Sequence, residues 1–175
     1  MNACIGIDPG KDGGLVALVL DDGGIRCVYQ ALTHHVAPNL EPDLMHAALA
    51  DARHALLKAG PGVLTSACAV LERVGAMPKQ GLSSTFNFGH GRGVWRGLLA
   101  GHGWHASSAS RLVLEPRPAD WTRALLKNIP GEGKERAIAR ASQVAGIQLI
   151  PAGCRVPQDG IADACCLALF GLREA

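Results

Sequence analysis

The sequence predicts an α/β protein: a mixed β-sheet flanked by helices, folded as a single domain over residues 1–175. Three observations lead there. Short apolar runs closed by Asp, Glu, Gly or Pro read as buried strands. Longer stretches with apolar residues three and four apart read as helices. Their order, β-β-β-α-β-α-β-α-(β)-α, belongs to a mixed sheet with helices packed on it.

Residues 3–8 form the first strand, ended by Asp8 and a turn through Pro9-Gly10-Lys11-Asp12-Gly13-Gly14. Residues 15–20 and 25–32, joined by Asp21-Asp22-Gly23-Gly24, complete a three-stranded meander. Residues 43–58 have helical spacing (Leu44, Ala47, Ala48, Ala55, Leu56) and stop at Gly60-Pro61. A fourth strand covers 67–72. Residues 75–93, polar and glycine-rich, read as a surface loop leading into a helix near 92–101. Residues 103–106 and 112–115 are short strand candidates. Helices follow at 119–127 and 134–145, then an edge strand at 147–150 and a last helix at 159–172.

A length of 175 residues with 48% hydrophobic and 18% charged content suits one compact core and excludes a disordered chain. No run approaches the ~20 apolar residues of a membrane span. Asp8 interrupts the apolar start, so no signal peptide is expected and the protein should stay where it is made. Cys4, Cys27, Cys68, Cys154, Cys165 and Cys166 show neither C-x-x-C nor zinc spacing, and suggest a reducing cytosol. His34, His35, His90, His102 and His105 have no ligand-like spacing.

The net charge of +2 is unevenly spread. Residues 1–72 hold four Lys/Arg against eight Asp/Glu, and residues 73–140 hold eleven against four. Residues 141–175 hold two against three. A basic middle between acidic ends suits a protein that grips a polyanion with one surface and holds metal with another.

Four acids carry the chemistry. Asp8 ends one apolar run and Glu72 ends another, Ala67-Cys68-Ala69-Val70-Leu71. Asp159 and Asp163 open the last helix four residues apart, about 40° apart around its axis. Singly, each has an ordinary reading: a turn former, a strand-end acid, a helix cap. Together they place acids at the ends of buried strands, a costly arrangement unless a positive charge compensates it. No basic residue lies in those runs, which points to divalent metal and a metal-dependent nuclease.

Further segments complete a pattern. Ile5-Gly6-Ile7-Asp8-Pro9-Gly10 is followed by Leu71-Glu72, then by Met77-Pro78-Lys79-Gln80-Gly81 and Ser83-Ser84-Thr85-Phe86-Asn87-Phe88-Gly89. Trp121 and Lys134 come next, and Asp159-Gly160-Ile161-Ala162-Asp163-Ala164 closes the set. In this order, over nearly the whole chain, the segments resemble the RuvC-type Holliday junction resolvases of the phage and chloroplast form. The resemblance implies a ribonuclease H-like fold.

It also implies a crossover junction endodeoxyribonuclease that hydrolyses phosphodiesters with two Mg²⁺ per active site, Mn²⁺ substituting. Asp8 would bridge the ions, Glu72 and Asp159 or Asp163 would complete their coordination, and Lys134 would sit near the scissile phosphate. Residues expected at DNA are Lys79, Gln80, Ser84, Thr85, Phe86, Asn87, Phe88, Arg92, Arg136 and Arg140. One of Phe86 and Phe88 would stack on an unpaired base at the crossover. The chain departs from the bacterial resolvases, which carry a wedge phenylalanine just after the strand glutamate where this sequence has Arg73-Val74-Gly75.

The expected partners are a four-way DNA junction and a second copy of the chain, with no membrane. A two-fold dimer matches the junction, and the helices near 43–58 and 92–101 are candidates for its interface. A bacterial or phage origin is expected, an organelle being the alternative. Two other functions compete: a related nuclease acting on other branched or single-stranded DNA, and a non-catalytic junction-binding protein. An actin-like ATPase is excluded, because its second phosphate loop and second domain do not fit in 175 residues.

Overall fold

The computed structural model describes residues 2–73, 75, 81–107 and 111–174. Among them, β1 (Ala3–Ile7), β2 (Gly14–Asp21), β3 (Gly24–Leu32), β4 (Ala67–Leu71) and β5 (Val113–Leu114) form one sheet. Its order is β3-β2-β1-β4-β5. The meander β1-β2-β3 is antiparallel, whereas β4 and β5 add in parallel. That is the mixed sheet the element order predicts.

The helices are α1 (Thr33–Val36), α2 (Pro42–Ala59), α3 (Leu82–Gly101), α4 (Pro118–Leu126), α5 (Lys134–Ala141) and α6 (Asp159–Glu174). Strand alternation divides the core into two layers. Ala3, Ile5 and Ile7 of β1 face the layer built with Met45, Leu49 and Leu56 of α2 and Trp95 and Leu99 of α3. Cys4 of β1 and Cys68 and Val70 of β4 face the layer built with α4, α5 and α6. β1 and β4 are buried along their whole length, which is why they read as unbroken apolar runs.

Helix α6 lies against β1 because Gly6 lets it. A Cβ at Gly6 would stand 2.0 Å from the Ala164 carbonyl oxygen and 2.4 Å from the Ala168 nitrogen. This places the start of α6, with its two acids, at the same end of the sheet as Asp8.

Four expectations are corrected. The loop expected over 75–93 is helical from Leu82, so α3 is a 20-residue helix despite its glycines. Each helical glycine costs about 1 kcal/mol relative to alanine, but tertiary packing overrides this. Trp95 and Leu99 are buried, and Gly91 abuts Pro9, whose carbonyl oxygen would be 2.6 Å from an added Cβ.

The edge strand expected at 147–150 does not form. That segment is held to β3 by one side chain: the Gln30 amide donates to the Gln148 carbonyl (2.7 Å) and accepts from its N–H (2.8 Å). Helix α5 stops at Ala141 rather than 145, and residues 103–106 contribute only a bridge from His105 to Leu112. No helix among the described residues is long and apolar enough to cross a membrane.

Candidate active site

Parallel pairing brings the first two acids together. β1 and β4 run in register with Ile7 opposite Leu71, so Asp8 and Glu72 leave the sheet side by side. The Glu72 N–H continues that ladder by donating to the Ile7 carbonyl at 3.1 Å. The other two acids arrive through a backbone contact. Gly13, in the turn after Asp8, bridges to Gly160 at the start of α6. Only glycine permits that approach: a Cβ at Gly160 would lie 2.2 Å from the Asp12 carbonyl, and one at Gly14 would lie 2.6 Å from the Gly160 carbonyl. Asp159 and Asp163 thereby come to the wall of the cleft above Asp8.

The cleft has a volume of about 780 Å³. Asp8, Glu72, Asp159, Asp163 and Lys134 all line it, with Ser83, Ser84, Asn87 and Phe88 from the first turns of α3. All four acids are half-buried. Burial pushes the Asp8 carboxyl up to about 7, helped by repulsion from Glu72, Asp163 and Asp159, while a Gly10 N–H at 3.3 Å opposes the shift. Asp163 also rises to about 7, through burial and then through Glu72 and Asp159, with Lys134 opposing.

Glu72 is raised by burial and partly brought back by a hydrogen bond from the Trp121 indole N–H, 2.8 Å from its Oε1. The Lys134 ammonium donates to Asp159 Oδ2, and this contact holds Lys134 above its ordinary value.

The acids share one cleft and repel one another, yet among the described residues no three His, Cys, Asp or Glu side chains converge as a ligand set. As placed, Asp159 turns to Lys134 and Glu72 to Trp121. The donor chemistry nevertheless fits a hard divalent cation: carboxylate oxygens with little compensating charge, two of them raised to about 7 by burial and then by mutual repulsion.

The residues expected at DNA separate into groups. Ser84, Asn87 and Phe88 line the cleft. Thr85, half-buried one residue on, gives its N–H to the Gly81 carbonyl at 3.0 Å. Phe88 closes on the turn after Asp8, 3.4 Å from where a Gly10 Cβ would be, whereas Phe86 is 73% exposed and stacks on His90. Arg92 lies elsewhere, tied to Glu115 Oε2 at 2.5 Å, with Arg96 on the other oxygen.

Arg136 donates to the Ile129 carbonyl (3.1 Å). Arg140 bonds Gln143 and lines a groove with Leu20, Ile25 and Arg173, away from the acids. Lys79 and Gln80 lie outside the described residues.

Two features escaped the sequence reading. Lys11, three residues after Asp8, also lines the cleft. Trp121 was matched as a motif residue without a role; a buried indole N–H usually takes an acceptor, and here that acceptor is Glu72.

The chain is a mixed five-stranded sheet flanked by helices, with acids just past its first and fourth strands and at the start of its last helix. No family model and no curated protein matches the sequence. Solved structures do match in fold. RuvC of T. thermophilus in complex with a Holliday junction substrate superposes with a TM-score of 0.60 at 17% identity, over 95% of this chain and 90% of that one. Another Thermus thermophilus RuvC structure gives 0.58 at 19% identity, over 95% and 91%. The yeast mitochondrial Holliday junction resolvase Ydc2 gives 0.56 at 13%, over 97% and 77%.

Proposed function

We propose that residues 1–175 form one nuclease domain, a divalent-metal-dependent endonuclease that resolves four-way DNA junctions by paired, symmetric nicks. The observation that carries this reading is the gathering of Asp8, Glu72, Asp159, Asp163 and Lys134 in one open cleft at the start of α3. The fold it shares with RuvC, one of whose structures holds a Holliday junction, supports it.

Asp8, Glu72, Asp159 and Asp163 would hold two Mg²⁺, or Mn²⁺ in their place. Bound there, the ions supply Lewis acidity to a water nucleophile and to the leaving 3′ oxygen. Lys134 presents its ammonium to the negative charge that grows on the phosphate. Ser84 and Asn87, on the opening turns of α3, position the DNA backbone. Phe86, exposed on the opening turns of α3, stacks on a base left unpaired at the crossover, while Phe88 stays packed against the Asp8 turn. Lys79 and Gln80 belong to the same DNA contact.

Resolution needs two cuts and each chain has one site, so the active form is a two-fold dimer. Gly89, Gly93, Gly97 and Gly101 are all exposed at i, i+4 spacing on α3, with nothing within 4 Å of an added Cβ. This bare stripe admits a second α3 at close range. The protein works where its DNA resides, in a bacterial or phage-infected cytoplasm or in an organelle.

A labelled mobile four-way junction, incubated with Mg²⁺ and with EDTA, tests the proposal. Paired symmetric nicks with metal alone are expected, from a species sedimenting as a dimer. Binding without cutting would leave a junction-binding protein. Cutting of flaps or single strands in preference to the junction would leave a related nuclease.

A further inference from the structure

Glu72 stands at a strand end, facing a wet cleft and three like charges. Its three side-chain torsions are free by nature, and repulsion alone would drive it outward. The structure counters this with three successive anchors from one short segment. The Arg73 N–H donates to the Pro116 carbonyl at 2.8 Å, tying the end of β4 to the lead into α4. Pro118 at the first helical position and the Asp120 carboxylate, which accepts the Arg117 N–H at 3.0 Å, fix where α4 begins. One turn later Trp121, 4% exposed in the core layer shared with α6, gives its indole N–H to Glu72 Oε1 at 2.8 Å.

We infer that Trp121 is a positioning residue for Glu72, clamping one carboxylate oxygen so that the other is presented to the cleft in a fixed direction. The donor type matters. An arginine or lysine would neutralise the carboxylate and compete with any cation in the cleft. An indole N–H is neutral, so it removes a rotation and leaves the charge. The ring is held by core packing, so the donor cannot swing away with the carboxylate. Trp121 touches no substrate; it acts through Glu72.

The inference rests on the nuclease reading for its activity readout only, since cation binding can be followed by itself. The full chain carrying Trp121→Phe keeps an aromatic ring and loses the N–H. Leu126→Ala, at another buried residue of α4, loosens the same helix without touching Glu72. Mn²⁺ affinity is read by electron paramagnetic resonance, with junction cleavage, junction affinity and Tm measured beside it. Trp121→Phe is expected to weaken Mn²⁺ binding and lower kcat by about 10- to 100-fold, with junction Kd unchanged. Leu126→Ala is expected to lower Tm and keep Mn²⁺ affinity.

Retention of both Mn²⁺ affinity and kcat in Trp121→Phe overturns the inference. So does a parallel loss in Leu126→Ala, which would make the effect one of helix stability. A wild-type chain that binds Mn²⁺ but cuts no junction refutes the nuclease reading alone; the Mn²⁺ measurement then still decides for or against Trp121.

Discussion

The Lys134 ammonium bonds Asp159 Oδ2, joining the first residue of α5 to the first residue of α6 across the mouth of the cleft. Lys134 is otherwise well exposed, so the pair is a surface contact worth little to stability. Its proposed role is chemical. Lys134→Met should slow junction cleavage by on the order of 100-fold with little change in Tm. Mn²⁺ binding should be retained or tightened, because an ammonium no longer shares Asp159. Single-turnover cleavage and calorimetry read the two effects separately.

Asp8 feels repulsion from all three of the other acids. Asp8→Asn should reduce cleavage by at least about 1000-fold and preserve junction binding in a gel-shift assay. A variant that cuts normally would remove Asp8 from the metal site.

Stability without divalent cations should fall as pH rises through the window from about 4 to 7. Asp8 and Asp163 titrate near 7 in the folded chain and near 3.8 as model carboxyls, so in that window the folded state binds more protons. The contribution of the neutral forms is complete below the lower value and lost above the upper one. In EDTA, the chain should be less stable, with a lower Tm, at pH 8 than at pH 5.5. Asp8→Asn should flatten that slope, and Mg²⁺ should restore Tm at pH 8.

Gly160→Ala should separate the start of α6 from the turn after Asp8. The new Cβ meets backbone, the Asp12 carbonyl, which has no side-chain freedom to yield. A destabilisation of about 1–3 kcal/mol is expected, with cleavage falling further than Tm alone explains. Gly89→Ala, with open space around it, should be stable or stabilised by up to about 1 kcal/mol. Thermal melts beside cleavage rates distinguish the two sites.

The gathering of the acids was legible in the sequence because each one punctuates a buried element. Asp8 and Glu72 close apolar runs that pair in parallel, and Asp159 and Asp163 share one face of a helix. The start of α3 was not legible. Gly89, Gly91 and Gly93 read as a loop, and the contact of Gly91 with Pro9 that favours helix is long-range. The segment 147–150 looked like a strand because three of its four residues are apolar, whereas the Gln30 amide takes the backbone groups of Gln148 that a ladder would use. Arginines look alike in sequence: Arg92 and Arg140 carry the expected charge, but their partners, Glu115 and Gln143, lie away from the cleft.

The alignment of Ile7 with Leu71 makes part of this chain tolerant of length change and part of it intolerant. Adding one residue within β4 would swing its terminal glutamate onto the opposite side of the sheet, toward Trp95 and Leu99, and break up the proposed acid site at a stroke. Insertions in the connection between α5 and α6 carry no such penalty. Relatives that diverge in size should therefore vary in their connectors while β1 and β4 keep their lengths to the residue.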